Sequence, residues 1–266
     1  MKRTITFLNY FLEIYLPTAN QLILGSITFF LMISFLSCSQ NQSDKNNQVF
    51  QRSVQNNAQE QHRKITLHVI TASSYGVANT SGEPTAGKYN GKTVSTYNIS
   101  GVLSEIQYYS PANELLYKES NVYDSTGKLI AINRSLPDGN RGIKIIPKYD
   151  DKGIRNEDDW YNPSGTLYCK IQMKHNELGT IDESKTFNAE GKLIHSISSY
   201  SYNDSGDIKE CVYYKPDGSV QHTQSYKYND LDEEGNWRTS IVLKNNIPVQ
   251  IIKREIEYLR SYTYEY

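Results

Sequence analysis

"YYKPDGSV", Tyr213 to Val220, places Pro216, Asp217 and Gly218 between two aromatic residues and an aliphatic one. Proline fixes φ near the value a turn needs, Asp bonds its own backbone, and Gly enters the left-handed region without a Cβ clash. Such a tripeptide belongs to a ligand loop, a single turn or a recurring hairpin, and the rest of the chain decides which. An aromatic precedes a glycine by four residues at Tyr97/Gly101, Tyr123/Gly127, Tyr149/Gly153, Tyr161/Gly165, Phe187/Gly191, Tyr202/Gly206 and Tyr214/Gly218. Weaker copies stand between them: Tyr109/Asn113, Ser135/Gly139, His175/Gly179 and a lengthened Tyr228 to Gly235. Asn113 fits the series because Asn tolerates positive φ.

Turn positions 101, 113, 127, 139, 153, 165, 179 and 191 are separated alternately by 12 and 14 residues, so the unit is a 26-residue pair of turns. Alternation suits an antiparallel meander whose turns fall on opposite edges, and a repeat at this period marks a stacked architecture. "NPSG", "LPDG", "DSTG", "NAEG" and "NDSG" share the turn chemistry of "KPDG" and predict a type I turn followed by a Gly bulge. The expected fold is all-β: an extended antiparallel β-meander of hairpin repeats, as a curved single sheet or a partly wrapped spiral.

The residue two past the glycine is apolar at Leu103, Leu129, Leu167, Ile181, Leu193, Ile208 and Val220 and aromatic at Trp237. Strand parity then predicts that it packs on the core face against the aromatic across the turn. Tyr214 and Val220 would pair inward, with Tyr213 pointing away. Glu105, Gln107, Glu183, Lys185 and Glu210 would make the strand centres polar and the core thin. The 15-residue interval from Gly191 to Gly206 breaks the even spacing and predicts a β-bulge between Lys192 and Ser201. Cys169 and Cys211 fall on opposite faces by the same count and are expected to be free thiols.

Lys2 and Arg3 precede an apolar run, Leu22 to Leu36, that ends in "FLSC" at Cys38. The pattern resembles a bacterial lipoprotein signal, which implies residues 1–37 as a cleaved peptide and Cys38 as the lipidated residue. An uncleaved membrane anchor is the alternative. Residues 38–64 then form the lipidated Cys and an Asn/Gln-rich tether too polar to order itself, and 65–266 the β-repeat domain. Outer-membrane attachment, periplasmic or surface-facing, follows.

"YNPSGTLY", "FNAEGKLI", "YNDSGDIKE" and "YKPDGSV" resemble the YD repeats of RHS-type bacterial surface proteins and are similar to MORN-repeat variants. The closing stretch Tyr226 to Leu259 is similar to the terminal module of YD-repeat-like lipoproteins of Bacteroidota. The resemblance implies an extracytoplasmic β-repeat domain credited with carbohydrate binding, and it supplies no catalytic residues.

Lys and Arg number 28 against 29 Asp and Glu, so no field attracts nucleic acid, and none is expected as a partner. The 22 Tyr against 7 Phe favour half-buried sheet surfaces. His62, His68, His175, His195 and His222 show no metal-ligand spacing, and His175 simply fills an aromatic slot. "NEDDW" (Asn156 to Trp160) and "NDLDEEGNW" (Asn229 to Trp237) gather carboxylates that suit Ca²⁺ or a glycosidase pair, although solvated turns explain them more simply. No nucleophile or phosphate-loop motif occurs. The chain is therefore expected to be no enzyme and to need neither cofactor nor metal. Tyr108, Tyr168, Tyr200 and Tyr213 lie at odd offsets from the preceding glycine and are the candidate ligand-binding residues, as exposed rows or as a second core face. The expected function is a lipid-anchored binding or scaffold module for glycan or envelope protein. The alternatives are an immunity or antitoxin-like protein that neutralises a partner and, last, an envelope hydrolase.

Overall fold

A computed structural model describes residues 61–79 and 82–264. The chain divides into two units, residues 1–46 and 47–266, and all described residues belong to the second. The signal peptide, Cys38 and the tether as far as residue 60 lie outside the described residues.

The described part of the second unit is entirely β. Its strands are β1 (Gln61–Asn79), β2 (Thr85–Tyr97), β3 (Leu103–Tyr109), β4 (Leu115–Tyr123), β5 (Leu129–Ser135), β6 (Arg141–Tyr149) and β7 (Arg155–Tyr161). They continue as β8 (Leu167–His175), β9 (Ile181–Asn188), β10 (Leu193–Tyr202), β11 (Ile208–Tyr214), β12 (Val220–Leu231), β13 (Trp237–Lys244) and β14 (Ile247–Tyr264). Each strand pairs antiparallel with the next, as the repeat predicts. The curved sheet wraps until β1 is bonded to β2 on one side and to β14 on the other, closing the strand order into a barrel. Gln61 already pairs with Tyr264, so the first strand starts inside the stretch expected to be tether.

One turn design recurs eleven times among the described residues. The first loop residue donates its N–H to the carbonyl of the fifth, and the fourth donates back to the first, as in Lys215 to Ser219 and Gly218 to Lys215, both at 2.9 Å. The fourth residue has positive φ at every copy: Gly218 at 83° and Asn113 at 63°. Where the loop opens with Asn or Asp, that side chain caps it: Asp124 Oδ1 accepts from the N–H of Thr126 and of Lys128. The two Pro-Asp-Gly turns open with Leu136 and Lys215, which have no acceptor. Asp138 and Asp217 take over and accept from the N–H of Asn140 and Ser219 at 2.9 Å.

Beside ten of these eleven turns, all but the one at Gly235, the ladder slips: Thr96 faces Glu105 but Tyr97 faces Leu103, so one strand contributes an extra residue. The slip corrects the expected faces. After turns on the first edge (Gly101, Gly127, Gly153, Gly179, Gly206 and Gly235) the inward positions are two, five and seven past the glycine. Ile208, Cys211 and Tyr213 show this, as do Trp237, Ser240 and Val242, all buried. After turns on the second edge (Asn113, Gly139, Gly165 and Gly218) the positions four and six past are inward, as at Tyr117 and Glu119 or Cys169 and Ile171. Tyr213 is therefore inside at 4 % exposure, and Val220 is outside at 55 %. Glu105, Gln107, Glu183, Lys185 and Glu210 point outward, and the strand centres carry the core. Cys169 and Cys211 share the buried face and are free, as expected for the thiols but not for their faces. The expected bulge is in β10: Ser198 faces Val212 and Ser201 faces Glu210, three residues against two.

The core contains charge. Arg134 donates through Nη2 to Glu119 at 2.6 Å, Tyr108 donates to the same carboxylate at 3.0 Å, and the guanidinium lies 4.1 Å from the Tyr117 ring centre. Arg155 grips Asp158 through two hydrogen bonds, at 2.6 and 2.7 Å. Both of these charged groups meet a counter-charge, which is the condition for tolerating them inside.

Candidate binding surface

The four tyrosines singled out by sequence do not form a row. Tyr108 is wholly buried and stacked on Tyr117 at 4.3 Å, and Tyr213 is stacked on His222 at 4.2 Å. Tyr200 is half-buried, with its hydroxyl 3.1 Å from Ser184 Oγ and its pKa pushed up by burial. Tyr168 alone stands outside, at 45 % exposure. Counting offsets without the turn-adjacent slip put the first three on the wrong side.

The slip also moves a different set outward. In second-edge hairpins the aromatic before the turn and the aliphatic after it face solvent: Tyr109 opposite Leu115, Tyr161 opposite Leu167, Phe187 opposite Leu193 and Tyr214 opposite Val220. The Tyr109 hydroxyl donates to outward Gln107 at 2.6 Å, and Tyr161 donates to outward Asp159 at 3.3 Å. On its other side the same position meets a lysine: Lys92 opposite Tyr109, Lys118 opposite Ser135, Lys144 opposite Tyr161 and Lys170 opposite Phe187. Lys92 Nζ lies 5.1 Å from the Tyr109 ring centre. These residues recur every 26 positions, or 27 where the β10 bulge intervenes between Phe187 and Tyr214, hence on every second strand, about 10 Å apart at the usual strand spacing. The same period is visible in the sequence, and a bulge-corrected count assigns it to the outer face.

Nearer the first edge the outer face carries ion pairs. Lys148 reaches Glu157 at 2.8 Å and Asp159 at 2.7 Å, and Lys118 reaches Glu105 at 3.2 Å. Burial raises the Glu157 pKa, but hydrogen bonds from Lys148 and Gln172 and the charges of Lys148 and Lys170 outweigh it and hold the group at about 2. An outer face bearing Glu105, Lys148, Glu157 and Lys170 around a buried aromatic interior is the reverse of a lipid-spanning barrel, which is apolar outside and polar within.

The carboxylates of "NEDDW" are separated by the sheet: Asp158 points in to Arg155, and Asp159 lies on the other face, buried at 4 % exposure beneath Lys148. They cannot flank one glycosidic bond. Among the described residues no three His, Cys, Asp or Glu side chains gather as a metal site, and no helix is long and apolar enough to cross a membrane.

No protein-family model and no curated protein matches the sequence. Among solved structures, the chain is similar to a porin-like protein from Bacteroides uniformis at 11 % identity and a TM-score of 0.43, covering 72 % of this chain and 98 % of that one. It is also similar to a DUF1329 family protein from Desulfovibrio piger at 10 % identity and a TM-score of 0.29, covering 84 % and 92 %. Both likenesses are too distant to carry a function.

Proposed function

We propose that this chain is a lipid-anchored cell-envelope β-repeat protein that serves as a binding or scaffold module for a glycan or an envelope protein. The observation that carries the proposal is the division of labour between the faces. The inner face is consumed by packing and paired charge, whereas the outer face repeats the same polar and aromatic side chains every second strand. A periodic exterior suits an extended partner better than a single small molecule, which needs a concave pocket. The lipid anchor rests on the sequence at Cys38, and the likeness to YD-repeat lipoproteins supports envelope placement.

Fractionation of cells carrying wild type and Cys38→Ala, followed by crosslinking and pull-down from intact envelopes, tests the proposal. Wild type in the membrane fraction with a lipid mass on Cys38, and a crosslinked glycan or protein, is the expected result. An unlipidated Cys38→Ala chain that stays membrane-bound would refute the anchor, and absence of any crosslinked partner would refute the binding role.

A further inference from the structure

We infer that the outer girdle near the second edge, centred on Tyr161, Phe187 and Tyr214, is a binding track for a linear anionic polysaccharide. The inference rests on the binding-module proposal and names its ligand class. Three features of the girdle select this occupant.

Its rings sit on β7, β9 and β11, every second strand, so their spacing is about 10 Å, close to the length of two pyranose rings in an extended chain. A flat ring half-exposed on a sheet offers an apolar face to the C–H face of a sugar, and an aromatic row repeats that contact at every second residue of the polymer.

Its charge is positive in the same register. Lys144 faces Tyr161 across β6 and β7, and Lys170 faces Phe187 across β8 and β9. Lys144 is exposed and has no ion-pair partner among the described residues, and Lys170 reaches Glu157 and Asp159 only at 3.7 Å. Tyr214 faces Ser196 instead, so an ammonium beside two of the three rings complements a polymer that carries anionic groups at intervals along its length.

Its surroundings disfavour a membrane. The turns beyond the girdle hold exposed Asp138, Glu190 and Asp217, so sinking the rings into headgroups would drag carboxylates deeper still. Gln61 enters the barrel at the first edge, because Val69 of β1 is already opposite Thr96 at the end of β2. The first described strand therefore begins at the end of the barrel opposite the girdle.

The test is sedimentation or affinity electrophoresis of the full chain with hyaluronan, in which every second ring bears a carboxylate, beside hydroxyethylcellulose and anionic phospholipid vesicles. Wild type should bind hyaluronan, lose affinity as salt rises and bind the neutral glucan far less. Phe187→Ala and Lys144→Glu should each weaken binding by about tenfold. Leu178→Ala, on the first edge, should leave it unchanged, and circular dichroism confirms that each variant is folded. Equal binding to both polymers, preference for vesicles, or unaltered binding by folded girdle variants would overturn the inference. If no polysaccharide binds while crosslinking still captures an envelope protein, the girdle assignment fails and the binding-module proposal stands.

Discussion

The hydroxyl of Tyr149 donates a hydrogen bond to the carbonyl oxygen of Leu129 at 2.7 Å. Tyr123 does the same to Leu103 at 2.7 Å, Tyr202 to Ile181 at 2.8 Å and Tyr228 to Ile208 at 2.7 Å. Each brace joins the last residue of a strand, or one close to it, to the first residue of the strand before, and every brace is on the first edge. The 26-residue unit is thus a pair of hairpins of which one is braced. Tyr→Phe at 123, 149 or 228 should cost about 0.5–1.5 kcal/mol each, read from urea midpoints at unchanged m-value.

His175 occupies the corresponding slot, 20 residues after Arg155. Burial lowers its pKa, with Asp150 opposing, so the folded state disfavours the imidazolium. Because the folded pKa lies below the unfolded one, stability is full above about pH 6.5 and falls as the pH drops below it. His175→Tyr should remove this acid sensitivity and add a brace to the Arg155 carbonyl, raising Tm at pH 6 more than at pH 8.

A second acid transition should follow at lower pH. Glu157 is held at about 2 in the folded chain, so its contribution is intact above its unfolded pKa near 4.5 and is lost as the pH falls toward 2. Glu157→Gln should flatten the melting temperature between pH 4.5 and 2 while leaving the window near pH 6 in place.

Arg134→Ala leaves the buried Glu119 without its counter-charge and should destabilise by about 3–5 kcal/mol. Replacing both residues by Leu should cost much less than the single change, and a double-mutant cycle by chemical denaturation measures the difference. Gly142→Ala should also destabilise, because the new Cβ would stand 2.8 Å from Arg134 Cγ.

Gly218→Ala isolates the backbone contribution in a turn. Its φ is 83° and no atom lies within 4 Å of the place an added Cβ would take, so the loss, about 1 kcal/mol or more, comes from the left-handed conformation alone. Gly218→Asn should recover part of it, as Asn113 occupies the equivalent site. Urea denaturation of the three chains measures both differences.

Burial pushes the Cys169 thiol to about 12, with Asp158 and Asp159 adding to the rise, and pushes Cys211 to about 11 against hydrogen bonds from Tyr213 and Tyr226. Neither thiolate forms at neutral pH, so both should resist iodoacetamide until the barrel unfolds. Mass spectrometry across a urea series should show labelling of the two together.

The sequence determined the strands, the turns and their alternation between two edges, because these depend on local chemistry: Gly or Asn at positive φ, Asx capping and the distance between turns. It determined the β10 bulge too, because one surplus residue must leave the ladder. Faces were not legible from spacing, since nearly every turn carries a slip that changes parity without changing the interval. That slip put Tyr108 and Tyr213 inside and Tyr161 and Phe187 outside. Closure through β1 and the Glu119–Arg134 pair belong to the tertiary structure alone. Pairing between chain ends, and a buried charge meeting its counter-charge on the next strand, depend on which backbones the curved sheet brings together rather than on any local run of residues.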